Sequence, residues 1–139
     1  MSNGIKDICN QSKNGDLDNN KTFYSINSKN IFLMDPRAAK EQSIACAATE
    51  EKIYTANNRF TCISSTKNGE FAIGSADGTV RLYNKVSKNA KNSFNLGFGG
   101  KNTIIKTINS LFMTCFSFFL DLIRGLDISK DGKWILATC

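Results

Sequence analysis

Residues 60–76 and 123–139 align without a gap, and this internal repeat constrains the fold more than any single residue. The first copy reads Phe60-Thr-Cys-Ile-Ser-Ser-Thr-Lys-Asn-Gly-Glu-Phe-Ala-Ile-Gly-Ser-Ala76. The second reads Ile123-Arg-Gly-Leu-Asp-Ile-Ser-Lys-Asp-Gly-Lys-Trp-Ile-Leu-Ala-Thr-Cys139. Each is an alternating strand, a Lys-Asn-Gly or Lys-Asp-Gly turn and a returning apolar strand. Asn-Gly and Asp-Gly between strand-like runs are the strongest short-range hairpin signal, because both residues tolerate the positive φ that tight turns need. Two such hairpins predict an all-β chain of radial architecture, part of a propeller.

A propeller needs at least four blades of roughly 40–45 residues each. At 139 residues the chain has room for less. It also stops inside the apolar strand Trp134-Ile-Leu-Ala-Thr-Cys139. The expectation is a fragment holding about one complete blade plus half of the next, with the partial propeller over residues 29–139.

Residues 1–28 are rich in Asn, Asp, Lys and Ser with isolated apolar residues. Such a segment buries too little surface to offset its ordering entropy, so it reads as disordered. Asn30-Ile-Phe-Leu-Met-Asp-Pro-Arg37 gives a short strand ended by Pro36, which lacks a backbone donor. Residues 38–51 read as a short helix or a surface loop, and residues 52–56 as a short strand. Residues 60–85 form the best-defined block: three antiparallel strands with turns at Asn68-Gly69 and Ala76-Asp77-Gly78. Gly74 inside the second strand marks a close backbone approach or a bulge. Residues 86–99 fit an outer strand and a connection.

Net charge is +6, from fourteen Lys and four Arg against twelve acids. The basic residues are scattered in sequence and are not interleaved with aromatics, which argues for a solvated surface and against nucleic acid. Residues after Met1 lack the apolar core of a signal peptide. Cys9, Cys46, Cys62, Cys115 and Cys139 form no C-x-x-C pair. The reading is an intracellular, cytoplasmic chain with reduced thiols, in which the sequons at Asn10 and Asn20 are chance matches.

An ordered set of short motifs adds a family resemblance. Asp35-Pro-Arg37, Phe60-Thr-Cys62, Ala72-Ile-Gly-Ser75, Gly78-Thr-Val-Arg-Leu-Tyr83, Ala90-Lys91, Leu96-Gly97 and residues 125–139 occur in that order. Together they resemble the C-terminal domain of the vacuolar import and degradation protein family of fungi, plants and protists, which is similar to WD-repeat propellers. The match covers roughly residues 30–99 and 122–139. It implies a non-enzymatic, cytoplasmic protein linked to delivery of cytosolic proteins to the vacuole for degradation. It also implies that Asp35, Pro36, Arg37, Phe60, Gly74, Gly78, Arg81, Tyr83, Gly125, Asp131, Gly132 and Trp134 define blade geometry. Trp134 is expected to pack between blades, and Arg81 could pair with an acid of a neighbouring blade.

The chain departs from that pattern between Gly100 and Asp121, where relatives pass directly into the next strand. The two hairpins lie 63 residues apart, from Phe60 to Ile123. Removing an insert of about 21 residues leaves about 42, inside the blade period. Two origins fit. Gly100-Lys101 is compatible with a splice donor and residues 115–121 with a pyrimidine-rich acceptor, so the insert can be a translated intron. The alternative is a genuine hydrophobic insertion, and its apolar run, with Phe112, Phe116, Phe118 and Phe119, motivates a second functional reading. In that reading residues 104–122 associate with a membrane, although the run is shorter than the roughly 20 residues a span needs.

The chain has no His, which removes the commonest general base and metal ligand. Cys62 lies on a strand and reads as a small buried hydrophobe. The cysteines are too dispersed for zinc. Asp16 and Asp18 lack the Glu that a calcium loop needs, and Gly97-Phe-Gly-Gly-Lys101 lacks the spacing and Ser or Thr of a phosphate loop. No catalytic residue, metal or cofactor is expected. The predicted partners are proteins met through the propeller loops, together with the missing blades of the propeller itself.

Overall fold

The computed structural model describes residues 4–13, 22–38, 47–56, 58–95, 103–106 and 122–138. Among these residues there are eleven strands and one 3-10 turn (Pro36–Ala38), arranged in three antiparallel sheets. The first sheet runs β1 (Asp7–Asn10), β2 (Phe23–Ile26), β3 (Asn30–Asp35), β4 (Ala47–Ile53). The second runs β5 (Phe60–Ser65), β6 (Phe71–Ser75), β7 (Thr79–Tyr83), β8 (Asn92–Asn95). The third contains β9 (Thr103–Lys106), β10 (Gly125–Ile128) and β11 (Trp134–Thr138), in the order β10-β11-β9.

The first strand of each hairpin lies innermost. Strand β5 packs against β1 on one side and β10 on the other. Asp7 accepts a hydrogen bond from Ile63 N at 2.9 Å, and Ser65 Oγ donates to Asn10 O at 2.6 Å. Three sheets thus follow one another around a common line of inner strands, the arrangement of a propeller section.

Two apolar cores fill the spaces between the sheets. Tyr24, Ile26, Ile31, Phe60, Ile63, Phe71, Ile73 and Tyr83 lie between the first and second sheets. Cys62, Ala72, Val80, Leu82, Ile123, Ile128, Ile135 and Ala137 lie between the second and third. All five residues of β6 are buried, because the middle sheet is covered on both faces. This is why Phe71-Ala-Ile-Gly-Ser75 is apolar or small throughout where a half-buried strand would alternate. Each large side chain so buried contributes roughly 1.5–3 kcal/mol.

Several expectations are corrected. Residues 1–28 were expected to be disordered, but β1 and β2 lie there, with Tyr24 and Ile26 at 3% and 0% exposure. Their few apolar residues suffice because they are added to a core that β5 and β6 already supply. The sequence carried a sign of this: Ser12-Lys13-Asn14-Gly15 repeats Thr66-Lys67-Asn68-Gly69 and Ser129-Lys130-Asp131-Gly132. The extent is therefore two four-stranded sheets and a three-stranded one, beyond the expected one and a half blades. Part of the stretch read as helix or loop is strand, since β4 begins at Ala47 and pairs along β3. The insert contributes β9, while residues 107–121, with the four-Phe run, lie outside the described residues.

The aligned hairpins also pair in different registers. In the second sheet Ile63 faces Ile73 and Ser65 faces Phe71. In the third Leu126 faces Ala137 and Ile128 faces Ile135, one residue displaced from the alignment. The turns explain the slip. Thr66 N donates to Glu70 O at 2.8 Å, enclosing residues 67–69, whereas Ser129 N donates to Trp134 O at 2.8 Å, enclosing residues 130–133. Asp131 accepts from Ser129 Oγ (2.6 Å) and Lys133 N (3.1 Å), and Ser129 Oγ accepts from Trp134 N at 2.9 Å. This local bonding holds the longer turn. A one-residue slip exchanges the faces of a strand. Ile135 and Ala137 consequently face the second sheet at 0% exposure, while Trp134 is 46% exposed. Trp134 therefore faces away from the second sheet, on the outward face of the third.

Candidate interaction surface

The chain runs alternately up and down each sheet, so the turns fall into two sets. One end of the section collects residues 11–13, 36–38, 66–70, 84–91 and 129–133. It carries Lys13, Lys67, Lys85, Lys88, Lys91, Lys130 and Lys133, of which all but Lys13 are exposed. The scattered basic residues of the sequence are therefore gathered by topology. The signal that could have revealed this is the Ser-Lys or Thr-Lys pair at the same place in each hairpin turn.

These turns are bonded to one another. Lys13 N donates to Thr66 O (3.0 Å) and Lys67 N to Lys130 O (3.0 Å), while Ser12 Oγ donates to Lys67 O at 2.7 Å. Tyr24 OH donates to Gly69 O at 2.8 Å. Asp127 of β10 joins β5 and the turn after β1: it accepts from Ser64 Oγ at 2.9 Å and pairs with Lys13, whose Nζ also donates to Ile128 O at 2.6 Å. Burial opposes ionisation of Asp127, but the hydrogen bonds from Lys13 and Ser64 outweigh it and hold the carboxyl below its usual range. A depressed carboxylate stabilises the fold above its unfolded value near 3.9 and loses that contribution as pH falls through the folded value. Asp127→Asn should lower stability at pH 7 by up to about 1 kcal/mol, since the pair is partly exposed. It should also flatten the fall in melting temperature between pH roughly 5 and 3; thermal melts of both proteins across that range check it.

The family-motif positions fall in several places. Asp35 ends β3 and accepts from Arg37 N and Nε, both at 2.9 Å, and from Arg37 Nη2 at 2.8 Å, with Pro36 opening the 3-10 turn between them. Arg37, through these hydrogen bonds, lowers the Asp35 pKa. Phe60 is buried edge-on to Tyr54, with ring centroids 5.5 Å apart. Arg81 lies over Phe60 at 6.0 Å, donates to Ser75 Oγ at 2.6 Å and approaches Asp77 at 3.6 Å. Among the described residues the acid beside Arg81 is Asp77, in its own hairpin turn. Tyr83 stacks on Phe71 and shares a hydrogen bond of 2.9 Å with Tyr54 OH; burial raises its pKa. Gly78 and Gly132 take φ of 74° and 71° at turns. A Cβ on Gly125 would meet Thr138 Oγ1 at 2.7 Å, and one on Gly74 would meet Cys62 Sγ at 2.6 Å. Gly74 also faces the register shift between Phe60 and Cys62, so it marks both a bulge and a close approach.

Phe60, Arg81 and Tyr83 converge between the first two sheets, Gly125 and Trp134 belong to the third, and Asp131 and Gly132 reach the lysine-bearing end. Burial pushes the Cys9 thiol up to about 12, against a hydrogen bond with Ser65, and Cys62 is enclosed in the core. Neither environment activates a nucleophile. Among the described residues no group of acids and cysteines could hold a metal ion. A cleft lined by Phe71, Leu82 and Ile128, with Glu70 and Lys91 among its other residues, offers about 20 Å³, room for one water.

Residues 2–139 match the profile described as the VID27 C-terminal WD40-like domain. The chain belongs to this family. It is 30% identical over 119 residues to vacuolar import and degradation protein 27 of Saccharomyces cerevisiae, and 26% identical over 119 residues to the protein of that name in Schizosaccharomyces pombe. Each comparison covers 86% of this chain and 12% of the relative, so the chain spans about an eighth of their length. The VID27 profile begins at residue 2 and so includes β1 and β2, in keeping with three sheets and not two. Among the described residues no helix is long and apolar enough to cross a membrane.

Proposed function

We infer that this chain is a non-enzymatic interaction module of the VID27 type, whose lysine-bearing end receives the acidic surface of a protein partner. The observation that carries this reading is the convergence of seven lysines on one end of the sheets, four of them (Lys13, Lys67, Lys130 and Lys133) on turns that are hydrogen-bonded to one another. Rigid loops on a sheet scaffold bind with little ordering cost, and a predominantly basic surface, here interrupted by Glu70 and Asp131, accelerates association with an acidic complement. The names of the curated relatives suggest the process, vacuolar import and degradation, and a cytoplasmic location is part of this proposal. The outward faces of the first and third sheets expose Ile8, Ile53, Trp134 and Leu136, which suits contact with further sheets of the same propeller.

The triple change Lys67→Glu, Lys88→Glu and Lys130→Glu tests this. These side chains are exposed, so thermal stability should change by less than about 0.5 kcal/mol each. Binding of a Glu-rich peptide, and of proteins captured from fungal cytosol, should weaken at least about tenfold and become insensitive to salt. Capture that is unchanged in amount and in salt dependence would reject the lysine surface.

A further inference from the structure

We propose that the cleft between the second sheet and the turn after β10 takes one branched aliphatic side chain from an acidic segment of the protein partner. This occupant rests on the lysine surface as the docking face and adds what charge alone lacks, a fixed register.

The cleft opens among the segments that make the lysine-bearing end. Glu70, Lys91 and Gly132 come from residues 66–70, 84–91 and 129–133. Phe71, Leu82 and Ile128 come from the strand ends beside them. Leu82 and Ile128 belong to the core between the second and third sheets, so the cleft lies at the end of that core. Its origin is local. The longer turn after β10 places Gly132 there at φ 71°, and a glycine brings no side chain to the gap. The Cβ it lacks would stand 3.4 Å from Thr66 Cγ2 and 3.8 Å from Glu70 Oε2.

Size and polarity select the group that enters. The space of about 20 Å³ admits one methyl-sized group and excludes a ring. A buried water wants two to four polar partners, whereas the surface of this cleft is mostly apolar. The tip of a Leu, Ile or Val side chain suits it better than water does.

Charge selects what flanks that group. Residues 66–70, 84–91 and 129–133 carry six lysines against Glu70 and Asp131. Asp131 is already engaged within its own turn by Ser129 and Lys133. The field around the cleft is therefore cationic and favours an aliphatic residue set among carboxylates. Lysines are point charges on flexible stems, so they attract such a segment without fixing its register. A second copy of this chain, itself at net charge +6, is disfavoured on the same face.

Two capped peptides are the probes: Glu-Asp-Glu-Leu-Glu-Asp-Glu and its counterpart with Ser in place of Leu. Each is titrated into the whole chain carrying isotope-labelled Ile and Leu methyl groups. The Leu peptide should move the Ile128 and Leu82 methyl resonances and bind about fourfold more tightly, the worth of one buried methyl group. Asn92→Phe should roof the cleft with the protein's own ring, since Asn92 is exposed and lines it. Both peptides should then bind alike. If that variant does not fold, the methyl resonances of the unaltered chain decide. Equal affinities in the unaltered chain, or Ile128 and Leu82 resonances that stay still at saturation, would overturn the cleft and leave the lysine surface standing. Failure of both peptides to bind would overturn the lysine surface and the cleft with it. Self-association that moves Ile128 without peptide would assign the cleft to a second copy and overturn the proposal too.

Discussion

Gly74→Val is expected to abolish the cooperative fold. Gly74 lies in β6 between the second and third sheets, where an added Cβ falls 2.6 Å from Cys62 Sγ and 2.7 Å from Ile123 Cγ2. Both neighbours are core residues, at 4% and 0% exposure, and neither can swing into solvent. Forcing extra carbons into a filled core costs about 1–3 kcal/mol or more, and valine brings three. A small domain has only about 5–15 kcal/mol in all. Gly74→Ala should retain a shifted urea transition, and adding Cys62→Ala should recover part of the loss by vacating the closer contact. A Gly74→Val midpoint near that of the parent would contradict the packing described between these sheets.

Phe71 and Trp134 occupy the same column of the internal repeat, yet their removal should have very different effects. Phe71 is 1% exposed, 4.3 Å from the Tyr24 ring and 5.1 Å from the Tyr83 ring. Phe71→Ala should cost about 3–5 kcal/mol by opening a cavity between the first two sheets. Trp134→Ala should cost about 1 kcal/mol or less, because the register slip has turned that side chain outward. Urea midpoints of the two variants, at equal slope, measure the contrast. Equal losses would mean that the third hairpin pairs in the register of the second.

That slip marks where the sequence stops being legible. The middle sheet could be read almost completely: alternation in β5, Asn68-Gly69 and Asp77-Gly78 at turns, and Gly74 as a close approach all follow from local chemistry. The family could be read from ordered motifs for the same reason, since those motifs are the local solutions of turns and strands. Strands β1 and β2 could not, because their apolar residues become sufficient only when added to a face made by β5 and β6. Trp134 could not either: its orientation depends on whether three or four residues fit inside a Lys-Asp-Gly turn, which Ser129 and Asp131 settle through side-chain hydrogen bonds. The lysine surface was illegible for a different reason. Residues far apart in sequence meet there only because the turns after β1, β5, β7 and β10 all fall at the same end.

Native-state amide hydrogen exchange of the whole chain tests the central claim most directly. If three sheets share one line of inner strands, peptides covering β1, β5 and β10 should open together, with β1 protected as part of the same cooperative unit. Exchange of residues 7–10 at the rate of an unfolded peptide, while β5 to β8 remain protected, would contradict the account and return the first 28 residues to the disordered tail that their composition suggests.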